Sequence, residues 1–169
     1  LVWEIVTKGA AGENLAEIDL SNADLQGADL ENADLSRSKL GGANLREANL
    51  EGADLSGANL VDAGLDDTTR IDAKWRLIWE LLTHGGAGRD LENADLRGAY
   101  LCGVDLTEAN LQGADLRGTD LADGKLHRAR LHGAHLDEHT TVDHKWRLVW
   151  ELVTEGGANR DLGKVALSQ

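Results

Sequence analysis

Five histidines crowd the last third of the chain, at His127, His132, His135, His139 and His144. Imidazole is a common zinc ligand, and zinc wants three or four donors converging at about 2.0–2.3 Å. His127 and His132, however, hold the same place in consecutive five-residue steps, and solvated histidines are the expected reading. Cys102 is the one cysteine. A thiol serves as a nucleophile when a base stands beside it, and no acid–base pair accompanies this one. Aspartates are abundant but recur singly at regular intervals, where general acid–base work requires a convergent pair. No glycine loop with a following lysine is present to cradle a phosphate. We therefore expect no catalytic, cofactor-binding or metal-ligating residues, and no enzyme.

The tryptophans carry more information. Trp3 lies in Leu1–Gly9, a segment that returns as Leu77–Gly85 and Leu148–Gly156. Trp3 to Trp79 spans 76 residues and Trp79 to Trp150 spans 71, a difference of five. The segments 72–83 and 143–154 read as helices, with Trp75, Ile78, Trp79 and Leu82 on one face, widened by Leu77 and Leu81. Asp72 and Asp143 are expected N-caps, and Gly85-Gly86 and Gly156-Gly157 expected stops. Helices of about three turns are marginal alone and must dock on something. Trp3, Trp75, Trp79, Trp146 and Trp150 are thus the candidate helix-docking or interaction residues, since aromatics are also enriched at protein interfaces.

What the helices dock on is written in leucine. Leu recurs at every fifth residue from Leu15 to Leu65, eleven in a row, and again from Leu91 to Leu136, ten in a row. Alanine stands two places earlier at eight of the eleven and six of the ten, so the partner column is regular enough to define a unit. A step of five fits neither a helix nor a strand. Fixed self-similarity implies stacked units, each burying its apolar side on its neighbours.

The unit Ala-(Asp/Asn)-Leu-X-X, as in residues 53–57 and 114–118, resembles the pentapeptide-repeat family. The resemblance implies an all-β solenoid: a right-handed quadrilateral β-helix with four units per coil, here with short amphipathic capping or inserted helices. Leu and the Ala column would point inward, with Ser38, Val104, Thr119 and Gly124 as tolerable departures. Successive units would then face different sides, so His127 and His132 diverge. Residues 20 apart would stack, pairing Glu17–Arg37, Asp19–Lys39, Asp105–Lys125 and Glu108–Arg128, and opposing Glu31–Glu51 and Arg97–Arg117. The expected organisation is a helix plus first block over 1–67 and a connecting Trp helix over 68–90. A second block follows over 91–138, then a helix and truncated repeat tail over 139–169. The middle helix would either cap a separate second solenoid or bulge from one that continues past it; Leu162 and Leu167 keep the five-residue step, and this re-entry favours continuity.

Charge bears on function. The chain carries a net −13, which disfavours direct binding to nucleic acid or to membrane surfaces. Residues 13–67 hold 13 acids and three bases, whereas 89–138 hold ten and six, so the acidity is concentrated in the first block. No apolar run approaches the roughly 18–20 residues of a membrane span. With no Met in the chain, Leu1 is expected to be a retained residue and not an initiator. The lone cysteine fits a reducing, cytoplasmic setting. The expected role is a non-catalytic, acidic, rigid rod that contacts an unidentified protein partner. It would be a monomer or a weak dimer through its ends or helices, with no cofactor. Some members of the family mimic double-stranded DNA and bind DNA gyrase. The first block's charge, about one per 1.4 Å against about one per 1.7 Å of DNA, keeps that as the alternative.

Overall fold

A computed structural model describes residues 1–154. The chain divides into two compact units. One comprises Leu1–His84 with Gly98–Tyr100, the other Gly85–Arg97 with the residues from Leu101 on. Helix α1 is Val2–Lys8, α2 is Ala73–His84 and α3 is His144–Thr154. Four two-residue strands accompany them: β1 Asn49–Leu50, β2 Arg70–Ile71, β3 Asp120–Leu121 and β4 Thr141–Val142.

The five-residue unit builds one repeated local structure. Most of the repeat leucines begin a tight turn closed by the residue three places on, usually Ala, as where the Ala23 N–H donates to the Leu20 carbonyl at 3.0 Å. The second residue after each Leu from Leu15 to Leu60 and from Leu91 to Leu131 takes a left-handed backbone, for example Asn22 at φ 58° and Gly42 at φ 68°. That is the geometry of a type II turn, whose third position favours Gly or Asn. The Asp or Asn before each Leu fixes the same corner from outside. Its Oδ1 accepts the N–H two residues on, as in Ser36 N–H to Asp34 at 3.0 Å and Thr107 N–H to Asp105 at 3.0 Å. The polar member of the motif is therefore a turn-forming residue as well as a surface one.

Within each unit the chain returns alongside itself every twenty residues. Parallel bridges join Asn14 to Asp34, Asp24 to Asn44 and Lys39 to Asn59 in the first unit. Asp90 to Asn110, Asp105 to Lys125 and Asp115 to His135 do so in the second. Four pentapeptides thus make one circuit, and both inner columns are sealed. Leu25 to Leu50 and Leu96 to Leu111 lie at 0% exposure, and most of the Ala column is buried beside them. Thr119, in the Ala column, donates its hydroxyl to the Leu96 carbonyl at 2.6 Å. Ser38, in the same column, is buried with no hydrogen-bond partner for its hydroxyl.

The ladder slips by one residue at the end of each block. Asn49 pairs with Arg70 and Asp120 with Thr141, an offset of 21, so each block admits one extra residue there. The inserted turns centre on Thr69 and Thr140, both buried. Their hydroxyls donate to the Leu45 and Leu116 carbonyls, each at 2.9 Å. Asp66 and Asp137 hold these turns together by accepting from Thr68, Thr69, His139 and Thr140.

Candidate functional site

Helices α2 and α3 leave these turns at once and fold back on the block that precedes them. The Asp72 and Asp143 carbonyls accept the first helical N–H groups, from Arg76 at 3.0 Å and Arg147 at 3.2 Å. The Arg76 guanidinium then donates to the Thr69 carbonyl at 2.6 Å, and that of Arg147 to the Thr140 carbonyl. One turn later the Trp79 indole N–H reaches the Ala63 carbonyl at 2.7 Å, and the Trp150 indole reaches Ala134 at 2.7 Å. Each indole therefore satisfies an Ala-column carbonyl. Elsewhere in the ladder such a carbonyl accepts the next circuit's N–H, as the Ala23 carbonyl accepts that of Asn44.

The remaining tryptophans differ in surroundings. Trp75 is buried together with Ile78 and Leu81 on the docking face of α2, with the Lys74 ammonium 4.3 Å from its ring. Trp146 is half-buried, with Lys145 5.0 Å from its ring and an indole N–H that is enclosed without a partner. Trp3 stands 68% exposed on α1, beside exposed Leu1 and Val6, and α1 buries only Ile5. Sequence reading grouped the five together; the structure separates Trp3 from the four that lie on docked helices. Gly85, at φ 72°, follows the end of α2 as its expected stop. Gly156-Gly157 and the Leu162–Leu167 step lie outside the described residues.

The outer surface is ordered into rows. Four ion pairs join residues one circuit apart: Arg37–Glu17 at 3.3 Å, Lys39–Asp19 at 3.6 Å, Lys125–Asp105 at 3.5 Å and Arg128–Glu108 at 3.0 Å. Amide ladders add Asn44–Asp24 at 2.9 Å and Asn110–Asp90 at 2.8 Å. The like-charged pairs are relieved by neighbours. Glu51 pairs with Arg70 and Glu31 accepts from Asn49, while Asp115 lies between Arg97 and Arg117 and pairs with both. These exposed pairs contribute little stability each, but they fix which outward side chains stand over which.

Hydrogen bonding also sets the aspartates' acidity. Thr68 and its neighbours hold Asp66 down to about 2, and the Gly118 N–H with Thr140 lowers Asp137. The Ser36 hydroxyl and N–H do the same for Asp34. His132 contacts the Val153 carbonyl at 3.2 Å and His139 lies 3.7 Å from Glu138. Among the described residues no three His, Cys, Asp or Glu side chains converge as a metal site. Cys102 is half-buried and takes part in no disulfide. No helix among the described residues is long and apolar enough to cross a membrane.

A family model described as pentapeptide repeats matches residues 14–52, 35–69 and 90–123. Among solved structures, HetL from the cyanobacterium Nostoc sp. strain PCC 7120 is 31% identical. HetL is described as a pentapeptide repeat protein involved in heterocyst differentiation regulation. The match covers 76% of this chain and 72% of HetL, with a TM-score of 0.34. Rfr23 from the cyanobacterium Cyanothece 51142 is 30% identical over 74% of this chain, TM-score 0.33, and this chain spans 64% of its length. QnrB1, a plasmid-mediated fluoroquinolone resistance protein, is 16% identical over 83% of this chain and 92% of its own, TM-score 0.33. No curated protein matches the chain.

Proposed function

Because this chain belongs to the pentapeptide-repeat family, we propose that it is a non-catalytic protein-interaction module. Its repeat blocks are right-handed quadrilateral β-helices, a reading supported by the twenty-residue parallel ladder and the two sealed inner columns. The observation that carries the functional reading is the ordering of the outer surface. Side chains one circuit apart are tied into rows by ion pairs and amide ladders, so a partner meets charges at fixed spacing. Such a preorganised surface pays little ordering entropy on binding.

The test begins with affinity capture from the native host and proceeds to titration of the purified partner. Reversing outward acids, Glu31→Lys with Glu51→Lys, should weaken binding at least tenfold, whereas Cys102→Ala should leave it unchanged. A partner indifferent to every outward substitution would refute the reading.

The acidity of residues 13–67 supports the second reading, mimicry of double-stranded DNA toward DNA gyrase. Inhibition of gyrase supercoiling by micromolar protein, abolished by the same charge reversals, would replace the general module with that specific one.

A further inference from the structure

The two blocks are built alike at an offset of 71 residues, so each serves as a control for the other. Ala63 and Ala134 accept the Trp79 and Trp150 indoles, and Thr69 and Thr140 fill the inserted turns. Just ahead of those turns the inner residues are also the same: Leu55, Ala58, Leu60 and Ala63 match Leu126, Ala129, Leu131 and Ala134. The outward residues are not. Where the first block has Asp54, Ser56, Gly57, Asn59, Val61 and Gly64, the second has Lys125, His127, Arg128, Arg130, His132 and His135. Gly133 stands in place of Asp62, so acids are lost where bases are gained, and no acid occurs between Asp123 and Asp137. The first block shows that the fold does not require this exchange.

All six of these residues are exposed. Their exposure follows from the columns they occupy. Arg37, in the same column as Arg128, has a circuit on either side, and its side chain is still 77% exposed. Lys125 and Arg128 pair with the circuit before, with Asp105 at 3.5 Å and Glu108 at 3.0 Å. Arg130 donates its Nε–H to the Gln112 side-chain oxygen at 2.7 Å, and His132 meets the Val153 carbonyl. A guanidinium carries five N–H donors and an ammonium three, so donors remain for a ligand.

We propose that this basic face of the second unit binds an acidic peptide segment of another protein. A run of nitrogen donors uninterrupted by acids is suited to carboxylates. A short strand can lie along a single circuit. A nucleic-acid duplex or a bilayer is several circuits wide at about 4.7–4.9 Å per circuit. It would also meet Asp90, Glu92, Asp105 and Glu108 of the earlier circuits, and the net −13 of the chain opposes an extended polyanion. As a second surface of an interaction module, this face rests on that reading. Glu31 and Glu51 lie in the other unit, so loss of one surface is distinguishable from loss of the other.

The probe is a fluorescein-labelled hexaglutamate, titrated with the full chain and read by anisotropy. Binding should saturate below millimolar protein. It should weaken with added salt, as the Debye length shrinks from about 30 Å at 0.01 M to about 3 Å at 1 M. The exchange variant gives the second block the residues of the first: Lys125→Asp, His127→Ser, Arg128→Gly, Arg130→Asn, His132→Val and His135→Gly. Its affinity should fall roughly tenfold, the sum of a few exposed ion pairs. It should stay folded by circular dichroism, because the first block carries those residues on the same inner columns. The triple variant Lys125→Asp, Arg128→Gly and Arg130→Asn keeps the His132 contact to Val153 and should lose most of the same affinity. No saturation at millimolar protein, or a folded variant that binds as the native chain does, would overturn the assignment. So would tighter binding of a labelled DNA duplex, or of phosphatidylserine vesicles, than of hexaglutamate.

Discussion

Trp79 donates its indole N–H to the Ala63 carbonyl at 2.7 Å, capping an edge of the ladder where a backbone amide would otherwise bind. Trp79→Phe keeps the ring in the docking face but leaves that carbonyl unsatisfied. A loss of about 1–2 kcal/mol is expected in urea unfolding. Trp3→Phe alters an indole that is 68% exposed and should change stability by less than about 0.5 kcal/mol. Equal effects would show that the Trp79 bond contributes nothing beyond packing.

Ser38 occupies an Ala-column position, 1% exposed, and its hydroxyl has no hydrogen-bond partner. Ser38→Ala removes a desolvated polar atom without creating a large cavity. It should stabilise the protein by about 1 kcal/mol, read as a higher urea midpoint at constant slope. Thr119→Val, in the equivalent column of the second unit, breaks a 2.6 Å bond to the Leu96 carbonyl and should act in the opposite direction.

Gly41 and Gly42 share one turn and should respond oppositely to alanine. Gly42 sits at φ 68°, and an added Cβ would lie 2.5 Å from the Asn22 Oδ1. Gly42→Ala should cost about 1–2 kcal/mol. Gly41 has its nearest Cβ neighbour at 3.6 Å and no left-handed φ, so Gly41→Ala should stabilise by about 0.4–1 kcal/mol. Paired thermal melts of the two variants decide the matter.

Asp66 gives the fold an acid limit. Its carboxyl is held at about 2 by the Thr68 and Thr69 bonds, against about 3.9 in an unfolded chain. The unfolded state therefore takes up protons first as pH falls. The stabilisation is complete above about pH 4 and is lost progressively down to about pH 2. Asp34, Asp105 and Asp137, all lowered by hydrogen bonds, act with the same sign. The melting temperature should drop across that window, and Asp66→Asn should make the drop shallower.

The leucine step made the inner columns legible because burial repeats with the unit, and nothing else in the chain has a period of five. The four complementary pairs, Glu17–Arg37 among them, were legible once residues 20 apart were placed side by side. Helices α2 and α3 stand within a residue of their expected bounds, each directly preceded by the Asp expected there, whose backbone carbonyl accepts a helical N–H. The 21-residue offset at Thr69 and Thr140 was not visible, because an insertion of one residue between blocks leaves no break in either leucine series. The turn-forming role of the Asp/Asn column was also missed: exposed carboxylates look alike in sequence whether or not they accept a local N–H. Nor did sequence distinguish Trp3 from Trp79. They occupy closely similar motifs, and only the structure shows one indole exposed and the other bonded to the Ala63 carbonyl.

The twenty-residue return has a kinetic consequence. A circuit meets its predecessor at the same chain separation wherever it lies, so the entropy of closing it does not grow as the ladder lengthens. Once one circuit exists, each later one condenses on a ready template, and growth proceeds along a single dimension. Unwinding must then run inward from the edges. Amides near Leu45 and Leu106, within the ladder of each unit, should exchange with solvent last. The bonds of α2 and α3 to Ala63 and Ala134 stand where that peeling would otherwise begin.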